Sequence, residues 1–197
     1  DNERFIDRGI PSGADGRPAS ELEDITFGDS ELNTATLQAH IARATLAHEF
    51  NENLKGNLNI AYSDYDKLYR NFFPVSYDET TNIVGLDGYV DTTQRENITI
   101  AANFIGALST GSINHTIVAG GEFIDTDNNN DRFNSFFDQT QDDVEFFFAD
   151  RPLSLINGVG VNASGNVTTN TFSNLNDDTE ANITVWSAYL QDEIEVA

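Results

Sequence analysis

Between Leu46 and Asp64 the chain reads LAHEFNENLKGNLNIAYSD, with apolar side chains recurring at every second position. Leu54, Leu58, Ile60 and Tyr62 fall on even positions with Gly56 among them, while Lys55, Asn57, Asn59, Ala61 and Ser63 fall between. Successive side chains on a strand point to opposite faces, so this spacing predicts a strand with one apolar and one mostly polar face. Before it, Leu46, His48 and Phe50 share one face, and Thr45, Ala47 and Glu49 share the other. Asn51, Glu52 and Asn53 are turn formers, so the two runs predict a β-hairpin. A soluble sheet would turn the apolar face into a core. A transmembrane barrel would turn it to lipid and keep the polar face in a wet lumen.

The same alternation returns further on. Ile98, Ile100, Ala102, Phe104 and Leu108 oppose Arg95, Asn97, Thr99 and Asn103. After a short turn at 109–112, Ile113, His115, Ile117, Ala119 and Phe123 oppose Asn114, Thr116 and Glu122. Near the end, Trp186, Ala188, Leu190 and Ile194 oppose Ser187, Tyr189, Gln191 and Glu193. Residues 34–50 are less regular, because Leu37 and Ile41 fall out of phase with Leu46, and a bulge would reset them. Arg4, Phe5 and Ile6 read as the end of a strand. The main strands are therefore expected near 34–50, 54–68, 94–108, 112–125 and 182–196.

Between them lie long polar stretches near 1–33, 69–93 and 126–181, expected to be loops. Residues 69–93 hold Tyr69, Phe72, Phe73, Tyr77 and Tyr89, and Pro74 argues against a central strand there. Connections thus alternate long and short. Outer-membrane barrels do the same, with short periplasmic turns and long extracellular loops. The expected fold is all-β, an antiparallel up-and-down transmembrane barrel, of which this chain forms part of the wall.

Composition narrows the function. The formal charge of -23 denies the chain the basic footprint that nucleic acid requires. Without cysteine there is no disulfide framework and no thiolate chemistry. No apolar run approaches the roughly 20 residues of a helical span. A start at Asp1, with neither methionine nor export signal, points to a chain whose ends are cut. No catalytic motif stands out, neither GxSxG nor HExxH, so no enzymatic activity and no bound cofactor are expected. The N-x-[ST] triplets at Asn97, Asn114, Asn162, Asn166 and Asn182 arise readily in an Asn- and Thr-rich chain.

Six stretches carry a family resemblance: DRGIPSGADGRP (7–18), TFGD (26–29), LAHEFNENL (46–54), SDYDKLYRNFFPV (63–75), HTIVAGGEF (115–123) and YLQDEIEV (189–196). In this order they resemble the barrel of TonB-dependent siderophore receptors, closest to the catecholate-type branch. The resemblance implies a 22-stranded barrel in the bacterial outer membrane, closed by an N-terminal plug. It implies import of a ferric siderophore, energised through TonB. The plug and the TonB-contacting segment are missing from this chain, which therefore looks like a fragment of the barrel domain. Five or six strands cannot close a barrel, since the smallest have eight. The expected partners are the siderophore, outer-membrane lipid and, through other parts of the receptor, TonB.

Candidate binding residues are aromatic and guanidinium groups in the expected loops: Tyr69, Arg70, Phe72, Phe73, Tyr77, Arg132, Phe136 and Phe137, with Arg151 nearby. Such groups suit flat anionic ferric catecholates. Asp125, Asp127, Asn129 and Asp131 have the alternating oxygen ligands of a calcium loop, although Asn130 and Phe136 replace its glycine and glutamate. His48 and His115 sit near short turns on the apolar face, where a barrel meets lipid headgroups. The competing reading is a secreted β-sandwich adhesin or carbohydrate-binding module. It requires Leu58, Ile60, Ile98, Ile100 and Ile117 to be buried against one another.

Overall fold

The computed structural model describes residues 4–5, 9–25, 27, 31–149, 155 and 158–196, with backbone only at 4–5. Ile6 and Arg151 lie outside the described residues. The chain is all-β, with strands β1 (Arg4–Phe5), β2 (Thr34–Asn51), β3 (Leu54–Asp78), β4 (Ile83–Thr110), β5 (Ile113–Phe137), β6 (Glu145–Phe148), β7 (Val159–Val161) and β8 (Val167–Val196). They form one open antiparallel sheet in the order β1-β2-β3-β4-β5-β8-β7, with β6 pairing to β4. A 3-10 turn at Ser20–Leu22 is the one helical element among the described residues. Short turns join β2 to β3 and β4 to β5. At the latter Gly111 takes φ +69°, which favours a residue without a side chain.

All five expected strands are present, and most are longer than alternation indicated. Residues 69–78 continue β3 and 83–93 open β4, where an irregular loop was expected. Pro74 is accommodated because, among the described residues, its missing N–H faces no partner strand. Two residues earlier, Phe72 donates its N–H to the Asn33 side chain (3.0 Å), just before β2 begins at Thr34. Pro74 therefore lies past the end of β2, at an edge position where proline is tolerated. The stretch 126–181 is likewise not one loop. β5 runs on to Phe137, β8 begins at Val167, and β6 and β7 lie between them. β6 pairs with β4 from Ile83↔Phe148 to Leu86↔Glu145, and β7 pairs with β8 from Val159↔Thr169 to Val161↔Val167.

The chain divides into two compact units. The first comprises residues 1–38, 66–93 and 129–179; the second comprises 39–65, 94–128 and 180–197. The first has a core of Ala19, Leu22, Phe27, Phe72, Val84, Leu86, Phe137, Phe147, Ala149 and Leu155. Glu145 is buried there too, its carboxylate accepting from the Thr168 hydroxyl and the Phe146 N–H, each at 2.9 Å.

The second unit contains none of the buried apolar residues. One face of its sheet is a network of polar side chains. Thr45 donates to Asn59, Asn59 to Asn57 and Asn103 to Asn57, each at 2.9 Å. Tyr189 on β8 crosses β5 and donates to Asn103 on β4. Gly120 makes room for this crossing, since a Cβ there would stand 2.6 Å from the Tyr189 ring. The other face exposes Leu46, Phe50, Ile60, Ile98, Ile100, Phe104, Trp186 and Leu190.

Candidate functional site

Two places in the molecule invite a functional reading: a cleft in the first unit and the apolar face of the second.

The cleft, of about 640 Å³, falls in the size range of small-molecule sites. Its lining includes Lys67 and Tyr69 from β3, Tyr89 and Asp91 from β4, Asn130 and Arg132 from β5, and Asp177 from β8. Alternation on extended strands sets Tyr69, Asn71 and Phe73 on one face. The Tyr89 ring stacks on Tyr69 (centroids 5.9 Å) and stands edge-on to Phe73 (5.8 Å). Arg132 lies 4.5 Å over Tyr89, within cation–π range. Its fork grips Asp91 through two bonds, Nε–Oδ1 at 2.5 Å and Nη2–Oδ2 at 2.6 Å. Hydrogen bonding to Asp91 holds Arg132 above its ordinary pKa, against the pull of partial burial. Between Tyr69 and Phe73, Asn71 is fully buried, and neither amide atom has a hydrogen-bond partner among the described residues.

The expected binding residues divide. Tyr69, Phe73 and Arg132 gather around Tyr89. Arg70 instead donates to the backbone carbonyls of Leu32 (3.0 Å) and Glu31 (3.3 Å), holding the segment before β2. Phe72 and Phe137 have no exposed surface and pack against one another in the core. Tyr77 donates its hydroxyl to Asn82 (3.1 Å), and Phe136 is half-buried with its N–H on Asn170 (3.1 Å). Asp91 was missed by sequence reasoning. Its signal was the spacing Tyr89–Asp91–Thr93, which reads as strand once Pro74 is discounted.

Asp125, Asp127, Asn129 and Asp131 stand on extended β5 rather than in a calcium loop. Alternate residues on a strand are about 6.8 Å apart, so these four do not wrap around one cation. Asp125 accepts from Thr184 (2.7 Å) and Asp127 from Asn182. No metal-holding group of three or more His, Asp or Glu occurs among the described residues.

The second place is the bare face of the second unit. On β5 and β8 it presents Ile117, Ala119, Gly121 and Phe123 beside Trp186, Ala188 and Leu190, with the Phe123 and Trp186 rings 4.5 Å apart. Hydrogen-bonded polar pairs close it at both ends. At one end stand Asp125–Thr184 and Asp127–Asn182. At the other, His115 bonds to Asp192 (2.9 Å) and to Thr110 (2.8 Å). From His115 to Asp125 is ten residues, about 34 Å of strand. At a barrel tilt of about 40° that gives a band about 26 Å tall, close to the apolar belt of outer-membrane barrels. His48 stands edge-on to Phe50 at 4.7 Å.

Compared with known proteins, the chain matches no family model, and no curated protein matches it.

Proposed function

We propose that this chain is part of the wall of an outer-membrane β-barrel that imports ferric siderophores, energised through TonB. The observation that carries the membrane reading is the apolar face of the second unit. Trp186 is 78% exposed and Leu190 76%, inside a band whose height suits a bilayer and whose ends are polar. In water such a face would be an aggregation hazard. In lipid it is the ordinary outer surface of a barrel, and the hydrogen-bonded polar network opposite suits a wet interior. The open sheet order agrees with a wall that further strands complete. Transport of iron rests on the family resemblance, and the aromatic cleft is compatible with it. In this reading Tyr69, Phe73, Tyr89 and Arg132 serve the ligand on the cell-exterior side.

The sandwich reading requires Leu58, Ile60, Ile98, Ile100 and Ile117 in a shared core. None of them is buried, and Ile60, Ile98 and Ile100 are exposed.

Trp186 is the sole tryptophan and reports directly on its surroundings. In lipid vesicles, bromine-labelled acyl chains should quench its fluorescence strongly and aqueous acrylamide weakly, with Trp186→Phe as the blank. The reverse order would sink the membrane reading. For transport, cells carrying the whole receptor of which this chain forms part of the wall should accumulate siderophore-bound radiolabelled iron, and a proton uncoupler should abolish it. Uptake indifferent to the uncoupler would remove TonB from the account.

A further inference from the structure

We infer that the Tyr69–Tyr89–Arg132 cleft takes an electrically neutral ligand: an uncharged ferric trihydroxamate, not a trianionic ferric tricatecholate. This rests on the transporter reading above and departs from the catecholate branch that the resemblance indicates.

The inference comes from where the positive charge goes. A trianion needs guanidinium or ammonium groups free to face it. Among the described residues Arg132 is the one guanidinium that lines the cleft, and its fork is occupied by both oxygens of Asp91. An anion would have to displace a carboxylate that already holds the fork through two hydrogen bonds. Arg70, the other candidate, spends Nε and Nη2 on the carbonyls of Leu32 and Glu31. Across the whole lining, the cations Lys67 and Arg132 meet the carboxylates Asp91, Asp131 and Asp177. Among the described residues of the lining, two positive groups, the Lys67 ammonium included, against three negative ones leave no excess positive charge. The chain at large carries a formal charge of -23, so its long-range field also repels anions.

What the cleft does offer suits a neutral partner. Tyr69 and Tyr89 provide an aromatic surface for apolar ligand groups, and Phe73 braces Tyr89 edge-on. The Arg132–Asp91 pair and Asn130 provide hydrogen-bond donors and acceptors without net charge. A ferric trihydroxamate has this complementary character: three hydroxamate anions cancel the charge of the iron, leaving carbonyl oxygens on an otherwise apolar shell.

The test is titration calorimetry on the full chain in detergent micelles with three probes: ferrichrome as the neutral trihydroxamate, ferric enterobactin as the trianionic tricatecholate, and maltohexaose as a neutral ligand without iron. Ferrichrome should bind, at least tenfold more tightly than ferric enterobactin. Tyr89→Ala should weaken ferrichrome at least tenfold and Tyr89→Phe less than threefold, with the β circular-dichroism signal unchanged. Asp91→Asn, which releases Arg132 and removes a carboxylate, should strengthen ferric enterobactin at least fivefold. Tighter binding of ferric enterobactin by the unaltered protein would overturn the inference and leave the transporter reading standing. So would an Asp91→Asn variant with unchanged preference. Binding of maltohexaose alone, or of neither iron complex, would overturn both.

Discussion

Phe72 and Phe104 both stand on long strands of the same sheet, yet they live in opposite surroundings. Phe72, in the first unit, is fully buried against Phe137 and Phe172, with ring centroids 6.2 and 5.3 Å away. Phe104, in the second, is 45% exposed, and its nearest ring, Phe50, is itself 53% exposed. The first unit builds a core as water-soluble proteins do, by wrapping segments around rings. The second builds no core and orders its polar face instead, through side-chain hydrogen bonds across strands. Apolar area left in water costs roughly 25 cal/mol per Å². On the membrane reading proposed above, lipid takes the place of water on that bare side. The contrast shows that one chain can follow two rules of burial.

The largest expected effect tests this contrast directly. Phe72→Ala should destabilise the protein by about 3–5 kcal/mol, because it empties a filled core site. Phe104→Ala should cost well under half as much, because its ring already faces outward. Denaturant unfolding in micelles would measure both. Equal losses would erase the distinction between the units.

How much was legible follows the same division. Period-two alternation is visible only where one face is apolar and the other polar. That holds for 54–63, 98–108, 113–123 and 186–194, and each was found. It fails at 125–132, where Asp125, Thr126, Asp127, Asn128, Asn129, Asn130, Asp131 and Arg132 make both faces polar, so β5 seemed to end early. Pro74 hid the far half of β3 because its place beyond the end of β2 cannot be read from one strand alone. Only part of the site was legible, for a related reason. Aromatics and arginines could be counted, but whether each faced a cleft or a core depended on register. Phe72 and Phe73 are neighbours in sequence, and one is core while the other reaches Tyr89.

A middle-sized effect probes the polar face of the second unit. Gly120 leaves space for Tyr189 to reach Asn103, and Asn103 also donates to Asn57. Gly120→Leu should displace the tyrosine and break the network across β5, costing about 1–3 kcal/mol by overcrowding. Tyr189→Phe removes only the hydroxyl and should cost about 1 kcal/mol. If Gly120→Leu is no worse than Tyr189→Phe, the close approach at Gly120 carries no weight.

The smallest effect is a pH dependence confined to the first unit. Burial pushes the Asp87 carboxyl up to about 6; the Gly88 N–H donating to it (2.6 Å) opposes this, and the charges of Asp143 and Asp142 add to it. Asp143 is also raised, first by burial and then by Asp142. A folded-state pKa above the ordinary value of 3.8 means that the folded form holds the proton more tightly than the unfolded form. Stability from this group is therefore fullest below about pH 4 and is lost as pH rises through 6. Acidifying from pH 7 to 5 should raise the unfolding midpoint. Asp78 has the opposite sign, lowered by the Thr81 hydroxyl and the Thr80 N–H, and acts only below about pH 4, outside this window. Relief of the overall negative charge also favours folding at lower pH, so the variant decides the cause. Asp87→Asn should raise the midpoint at pH 7 and flatten its rise toward pH 5. An unchanged slope in Asp87→Asn would assign the pH dependence to net charge alone and leave Asp87 a bystander.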